Sequence, residues 1–169
     1  MSQVVEEHRR QAPQSVACAV ITVSDTRTPE TDTGGNLVAE RLASAGHRVV
    51  ERKIIRDEPV AMRAVLVELS ARPDVEAVLL TGGTGLSSRD QTYETVSLLL
   101  TKTIPGYGEL FRMLSYQEIG TAAMLSRAVG GLIDRTVVLT MPGSPAAVQL
   151  AMDKVILPEL GHLLREAKR

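Results

Sequence analysis

Apolar, β-branched runs alternate with helical stretches of ten or more residues through the first half of the chain, and this alternation constrains the fold more than any single residue. SVACAVITVS at 15–24 reads as a buried first strand, and HRVVERKII at 47–55 and EAVLL at 76–80 read as the second and third. Between them, NLVAERLASAG at 36–46 sets Leu37, Val38, Arg41, Leu42 and Ala45 at helical spacing before a glycine stop, after a Thr/Asp/Gly/Pro-rich loop over 26–35. PVAMRAVLVELSA at 59–71 is a second helix, with Pro59 at its start and Pro73 beyond its end. Strand, helix, strand, helix, strand in that order implies right-handed crossovers, a mostly parallel sheet and helices on both of its faces: an α/β fold of three layers.

The remainder of the chain changes character. Thr92 to about Thr101 is expected to be helical, and IPGYG at 104–108 breaks that helix and opens another through FRMLSYQ. RAVGGLIDRTVVLTMPGS at 127–144 reads as two short strands about a Gly/Asp turn, a late β-hairpin. Pro145 then opens a helix to about Ala167, which Pro158 is expected to bend. At 169 residues and 44% hydrophobic the chain can bury one core, so residues 15–169 are expected to form a single domain behind a loose tail over 1–14.

Composition removes several classes of function. With 19 basic and 20 acidic side chains the net charge is −1, too weak a field to hold nucleic acid without sequence readout. Phe111, Tyr93, Tyr107 and Tyr116 are the only aromatics, too few for a base-stacking platform. Cys18, the single cysteine, can form no intramolecular disulfide. His8, His47 and His162 match no His-x-x-x-His spacing, which argues against zinc. The polar N-terminus offers no secretory signal and no stretch is long enough to span a bilayer, so a cytoplasmic protein without a membrane partner is expected.

In parallel sheets ligands bind beyond the carboxyl ends of the strands. Four polar loops follow strands here: Ser24-Asp25, Arg56-Asp57-Glu58, the run from Thr81, and Met141-Pro142-Gly143-Ser144. If the topology holds, all four meet on one rim. The third loop, TGGTGLSSRDQT at 81–92, carries Thr81, Gly82, Gly83, Thr84 and Gly85 and ends in Arg89-Asp90. Its glycines allow backbone N–H groups to approach an anion that a Cβ would hold off. The loop lacks both the GK[ST] ending of a P-loop and the GxGxxG spacing of a dinucleotide fingerprint. Two carboxylates at neighbouring strand ends, Asp57 and Asp90, have the chemistry to share Mg²⁺ beside phosphate.

Each residue also has a plainer reading. The glycine loop is also a tight turn, Asp90 also a carboxylate at the start of the next helix, and Asp57 also a cap for the helix at Pro59. Asp25 and Asp32 read as turn residues, Arg89 and Lys102 as surface charges, with Arg89 in reach of a phosphate. Ser24 and Ser144 have no evident base, and the Met and Leu residues around 113 and 124 read as core or subunit contacts.

TGGTGLSSRDQTYE, IPGYGELFRMLSYQEIGTAAMLSRAVGG and VVLTMPGSPAA resemble, in order and spacing, the molybdenum cofactor biosynthesis family that includes MogA, MoaB and the G domains of gephyrin-like proteins. The resemblance runs from about residue 15 to residue 165, and FRMLSYQEIGT, with a C-terminus soon after the MPGS helix, brings the MoaB branch nearest. It implies a molybdopterin-binding fold and adenylyl transfer: the terminal phosphate of molybdopterin attacks the α-phosphate of MgATP and pyrophosphate leaves. Neither composition nor spacing points to that reaction. By the same resemblance Asp57 and Asp90 handle Mg²⁺ and phosphate, and Ser24, Asp25, Gly34, Gly35, Pro142, Gly143 and Ser144 line the pterin and nucleotide pocket. It also implies a homotrimer or homohexamer and a downstream molybdenum-insertion protein as partner. Some MoaB-branch members lack the first aspartate; this chain keeps it. A non-catalytic carrier of molybdopterin, an oligomerisation module and a nucleotide pyrophosphatase or deamidase relative stand as alternatives.

Overall fold

The structure, a computed structural model, describes residues 7 and 9–169; His8 and residues 1–6 lie outside the described part. Six strands form one sheet in the order β2-β1-β3-β6-β5-β4. Strands β1 (Ala17–Val23), β2 (Arg48–Ile55), β3 (Ala77–Thr81) and β6 (Thr136–Met141) run parallel, and β5 (Gly130–Ile133) lies antiparallel to both β6 and β4 (Lys102–Thr103). The helices are α1 (Thr33–Ser44), α2 (Pro59–Ser70), α3 (Thr92–Leu99), α4 (Pro105–Ile119), α5 (Pro145–Ala151) and α6 (Leu157–Lys168), with a 3₁₀ turn over Gly120–Leu125.

The strand residues sort themselves between two apolar layers with the period of two that a pleated strand imposes. Cys18, Val20, Leu79 and Leu139 face Val38, Leu42, Phe111 and Leu160 on one side of the sheet. Ala19, Ile21, Leu80 and Val138 face Met62, Leu66, Leu69 and Val96 on the other. Every residue of β1, β3 and β6 is buried, which is why these strands read as continuous apolar runs. The expected three-layer fold and the late hairpin are both present. The hairpin turns at Asp134-Arg135, where Asp134 takes φ +52°, whereas the glycines of that segment lie in β5.

Four details differ from the sequence reading or narrow it. Helix α1 begins at Thr33 rather than Asn36, because the Asp32 carboxylate accepts the Gly35 N–H at 2.9 Å and starts the helix inside what reads as loop. Helix α3 ends at Leu99, and the short edge strand β4 intervenes before Pro105. Near Pro158 a π-helical turn over Met152–Ile156 links α5 to α6. Of the two readings for Met113 and Met124, core or subunit contact, exposure of 53% and 78% removes the core one. The C-terminal helix also meets the chain's beginning, through an Arg9–Glu159 ion pair and an Arg165–Gln11 hydrogen bond. Among the described residues no helix is long and apolar enough to cross a membrane.

Candidate functional site

β1 leads to β2 on one side and β3 lies on the other, so the chain changes direction between β1 and β3, and a crevice opens there at the carboxyl ends. The backbones press together at its floor. Gly82 holds φ +102°, and a Cβ there would stand 2.3 Å from the Val23 carbonyl oxygen. Gly83 holds φ +64°, and a Cβ there would stand 2.2 Å from Thr92 Oγ1 and 2.4 Å from Asp57 Oδ2. Both positions therefore require glycine on two counts, left-handed backbone and space. The loop closes on itself through Thr92 N–H to the Gly83 carbonyl and Thr92 Oγ1 to the Gly82 carbonyl, each 3.0 Å.

The two aspartates take up different positions. Asp57 is 7% exposed and its Oδ1 accepts the Gln91 N–H at 3.0 Å. It therefore caps the approach to α3, across the crevice, and not α2, whose N-cap Glu58 makes no side-chain bond. Burial pushes its pKa above the ordinary 3.8, against the Gln91 hydrogen bond, and the charges of Asp90 and Asp25 push the same way. The Asp90 carboxylate accepts the Ser87 N–H at 2.9 Å inside its own loop and, unlike Asp57, does not cap the approach to α3. Arg89 is tied to Asp25 by bonds of 3.0 and 2.5 Å, and this pair holds the Asp25 carboxyl below its usual range. Asp25 in turn accepts the Asp57 N–H at 3.3 Å, so the first, second and third loops are joined.

The glycine loop separates two cavities. One, of about 480 Å³, is lined by Ser24, Gly34, Thr81, Gly82, Gly143 and Ser144 among others. The other, of about 410 Å³, is lined by Gly82, Gly83, Thr84, Gly85, Asp90, Pro142, Gly143 and Ser144, with Phe111, Ile119 and Leu125 as its apolar wall. A third space of about 690 Å³ beside Ser24 and Asp25 is bordered by Arg27, Arg52, Lys53 and Arg56. Gly35 lines none of the three: it lies buried against Asp32 and Thr22. Asp57 sits beneath the loop. Ser24 Oγ accepts the Thr26 and Arg27 amides, and Ser144 Oγ caps α5, so both hydroxyls are structural acceptors.

Sequence reasoning missed three residues of this site. Asp32, read as a turn residue, is buried and accepts Thr22 Oγ1 at 2.8 Å while starting α1. Thr92 closes the loop, and Arg127 reaches it from the far end of the 3₁₀ turn. An Asp-Thr-Gly-Gly string is a capping signal, so Asp32 was findable; the reach of Arg127 had no local signature. Among the described residues no group of three or more His, Cys, Asp or Glu is assembled for a metal. Two carboxylates remain, a donor set that suits Mg²⁺ completed by ligand phosphate oxygens.

A doubly wound sheet with a glycine loop at its change of direction defines an α/β domain of the class whose ligand crevice lies at the carboxyl ends of its strands. Asp57 and Asp90 follow β2 and β3, which β1 separates, and so do not end neighbouring strands as the sequence suggests. The chain belongs to the molybdopterin-binding family: the family model described as a probable molybdopterin binding domain matches residues 19–162. It is 52% identical over 166 residues, 98% of either chain, to molybdenum cofactor biosynthesis protein B of Bacillus cereus. A crystal structure of a molybdenum cofactor biosynthesis protein B superposes with a TM-score of 0.90 at 53% identity, over 94% of this chain and 99% of that one. The tungsten cofactor synthesizing protein MoaB of Pyrococcus furiosus superposes at 0.81 with 35% identity, over 94% and 100%.

Proposed function

We propose that the chain acts in molybdenum cofactor biosynthesis as a molybdopterin adenylyltransferase, joining the AMP moiety of MgATP to the terminal phosphate of molybdopterin and releasing pyrophosphate. The observation that carries this reading is the glycine loop standing between two cavities that share Gly82, Gly143 and Ser144. A transferase of this kind must hold two ligands with their phosphates in contact, and backbone N–H groups on a side-chain-free wall can serve both. The pathway is supported by family membership and by the names of relatives that match this chain along nearly its whole length.

Asp57 and Asp90 would hold Mg²⁺, which supplies charge neutralisation on the polyphosphate when bound. The protein's own contribution is placement. The loop amides orient the phosphates, and the apolar wall at Phe111 and Leu125 excludes water from one side. Arg89, 58% exposed on its ion pair with Asp25, and Arg27, which lines the cavity beside Ser24, are cations that could meet a departing pyrophosphate. No serine or cysteine nucleophile is needed, because the attacking oxygen belongs to the substrate.

A carrier that binds molybdopterin without turnover is the second reading, and the cap that Asp57 places on Gln91 favours it by giving that carboxylate a structural task. The same proposal includes a cytoplasmic homotrimer or homohexamer that hands its product to a molybdenum-insertion protein. Leu110, Met113 and Tyr116, each at least half exposed on α4, support an assembly. The test is mass spectrometry of the products after incubation with molybdopterin, ATP and Mg²⁺, with Asp90→Ala as control. Adenylyl-molybdopterin from the wild type alone supports the transferase, and tight molybdopterin binding without product makes the protein a carrier.

A further inference from the structure

The outer part of the glycine loop has little to hold it. Leu86 at its tip is 67% exposed, so no apolar side chain anchors it. The Asp90 carboxylate and amide bond only to Ser87, within the loop. Arg89 joins it to Asp25 at the surface. Beyond the Gln91 N–H bond to Asp57 at the loop's end, a further tie is Arg127, whose Nη2 donates to the Gly85 carbonyl and, at 3.2 Å, to the Asp90 carbonyl, bridging the two ends of the outer loop.

The guanidinium is itself fixed. Its Nη1 pairs with Glu94 in the first turn of α3, its Cζ lies over the Tyr93 ring 5.4 Å from the centroid, and its side chain is 21% exposed. Its Nε is buried without a partner, a cost offset only by the contacts of the two terminal nitrogens. A planar fork can reach two carbonyls and a carboxylate at once; a lysine ammonium at this position is a point donor that cannot span them.

We infer that Arg127 is a positioning residue: it sets the separation of Gly85 and Asp90 and so places the Asp90 carboxylate against the phosphates that the glycine loop holds. The catalytic half of this statement rests on the adenylyl-transfer reading. The clamp itself does not.

The experiment compares wild type, Arg127→Lys and Arg127→Gln by amide hydrogen exchange without ligand and by steady-state adenylylation of molybdopterin with MgATP. Exchange over residues 84–91 is expected to rise about tenfold or more in both variants, the factor that one lost hydrogen bond to a charged group gives. Exchange in β1 and β3 stays unchanged. At saturating substrates kcat is expected to fall about a hundredfold in Arg127→Gln, as misplacement of a catalytic group predicts, with KM for molybdopterin within about twofold. Arg127→Lys recovers the pairing with Glu94 but not the bridge, and falls between. Unchanged exchange over 84–91 overturns the clamp. Raised exchange with wild-type kcat overturns the positioning role. A wild type that makes no product overturns the transfer reading and the catalytic half with it, while the exchange result still decides the clamp.

Discussion

Asp57 carries two tasks that one pair of substitutions separates. Its Oδ1 accepts the Gln91 N–H at 3.0 Å, and its charge is buried beside Asp90 and Asp25. Asp57→Ala removes both the acceptor and the charge, leaving a half-buried amide unpaired at a cost of about 1–3 kcal/mol. At roughly 2–4 °C per kcal/mol for a chain of this size, the midpoint should fall by several degrees. Asp57→Asn keeps an oxygen in the same place and removes only the charge. It should melt at or above the wild-type temperature near neutral pH, because the cost of holding a carboxylate in a buried position is gone. If Asp57 serves the phosphates, both variants lose adenylylation by at least about a hundredfold, the scale on which single electrostatic contributions to transition states are felt. Calorimetry beside a product assay reads both tasks. An Asn variant with near wild-type turnover refutes the metal and phosphate role, and an Asn variant that melts as low as Ala refutes the hydrogen-bond argument.

The raised pKa of Asp57 gives stability a sign with pH: the folded form prefers the proton, so the group favours folding below the unfolded value near 3.8 and that contribution is lost as pH rises through the higher folded value. The melting-temperature gain of Asp57→Asn over wild type should therefore grow across that interval and disappear below it; a constant difference from pH 3 to 8 contradicts the burial argument. Gly83→Val forces a β-branched residue to φ +64° and pushes against both Thr92 Oγ1 and Asp57 Oδ2, so nucleotide binding should be lost and stability should fall by about 1–3 kcal/mol. Calorimetric titration with MgATP checks this, and retained affinity would sink the phosphate-loop reading. Met113→Glu places a charge in the exposed apolar row of α4 and should lower the mass measured by light scattering toward that of a monomer; an unchanged mass removes α4 from the interface.

What the sequence made legible follows from which signals are local. β1, β3 and β6 are buried on both faces, so each reads as an unbroken apolar run, and their alternation with α1 and α2 determines the parallel sheet without knowledge of any contact. The convergence of the loops after β1, β2, β3 and β6 follows from that topology alone. The role of Asp57 was not legible in the same way. Its sequence neighbours point to a cap on α2, yet its partner is 34 residues away, because the parallel register sets the end of β2 near the start of α3 through the fold of the loop between. Arg127, 42 residues from Gly85, is hidden for the same reason. Edge strand β4 has only two residues, both exposed, and leaves no apolar pattern to read.

Asp25 and Arg89 link these observations into a statement about the site's order of events. Asp25 accepts from Arg89 and from the Asp57 amide together, so one carboxylate sets both the cation above the crevice and the backbone that carries the buried aspartate. The Asp25 pKa is lowered chiefly by Arg89, which means that the pair persists to pH values below the ordinary carboxylate range. A phosphorylated ligand that draws Arg89 away must compete with that bond. Displacement of Arg89 would leave Asp25 to the Asp57 amide alone. The two arginines that touch the loop thus differ in exposure: Arg89, within it, is 58% exposed on its pair with Asp25, and Arg127, which reaches it from beyond the 3₁₀ turn, is 21% exposed on the loop carbonyls.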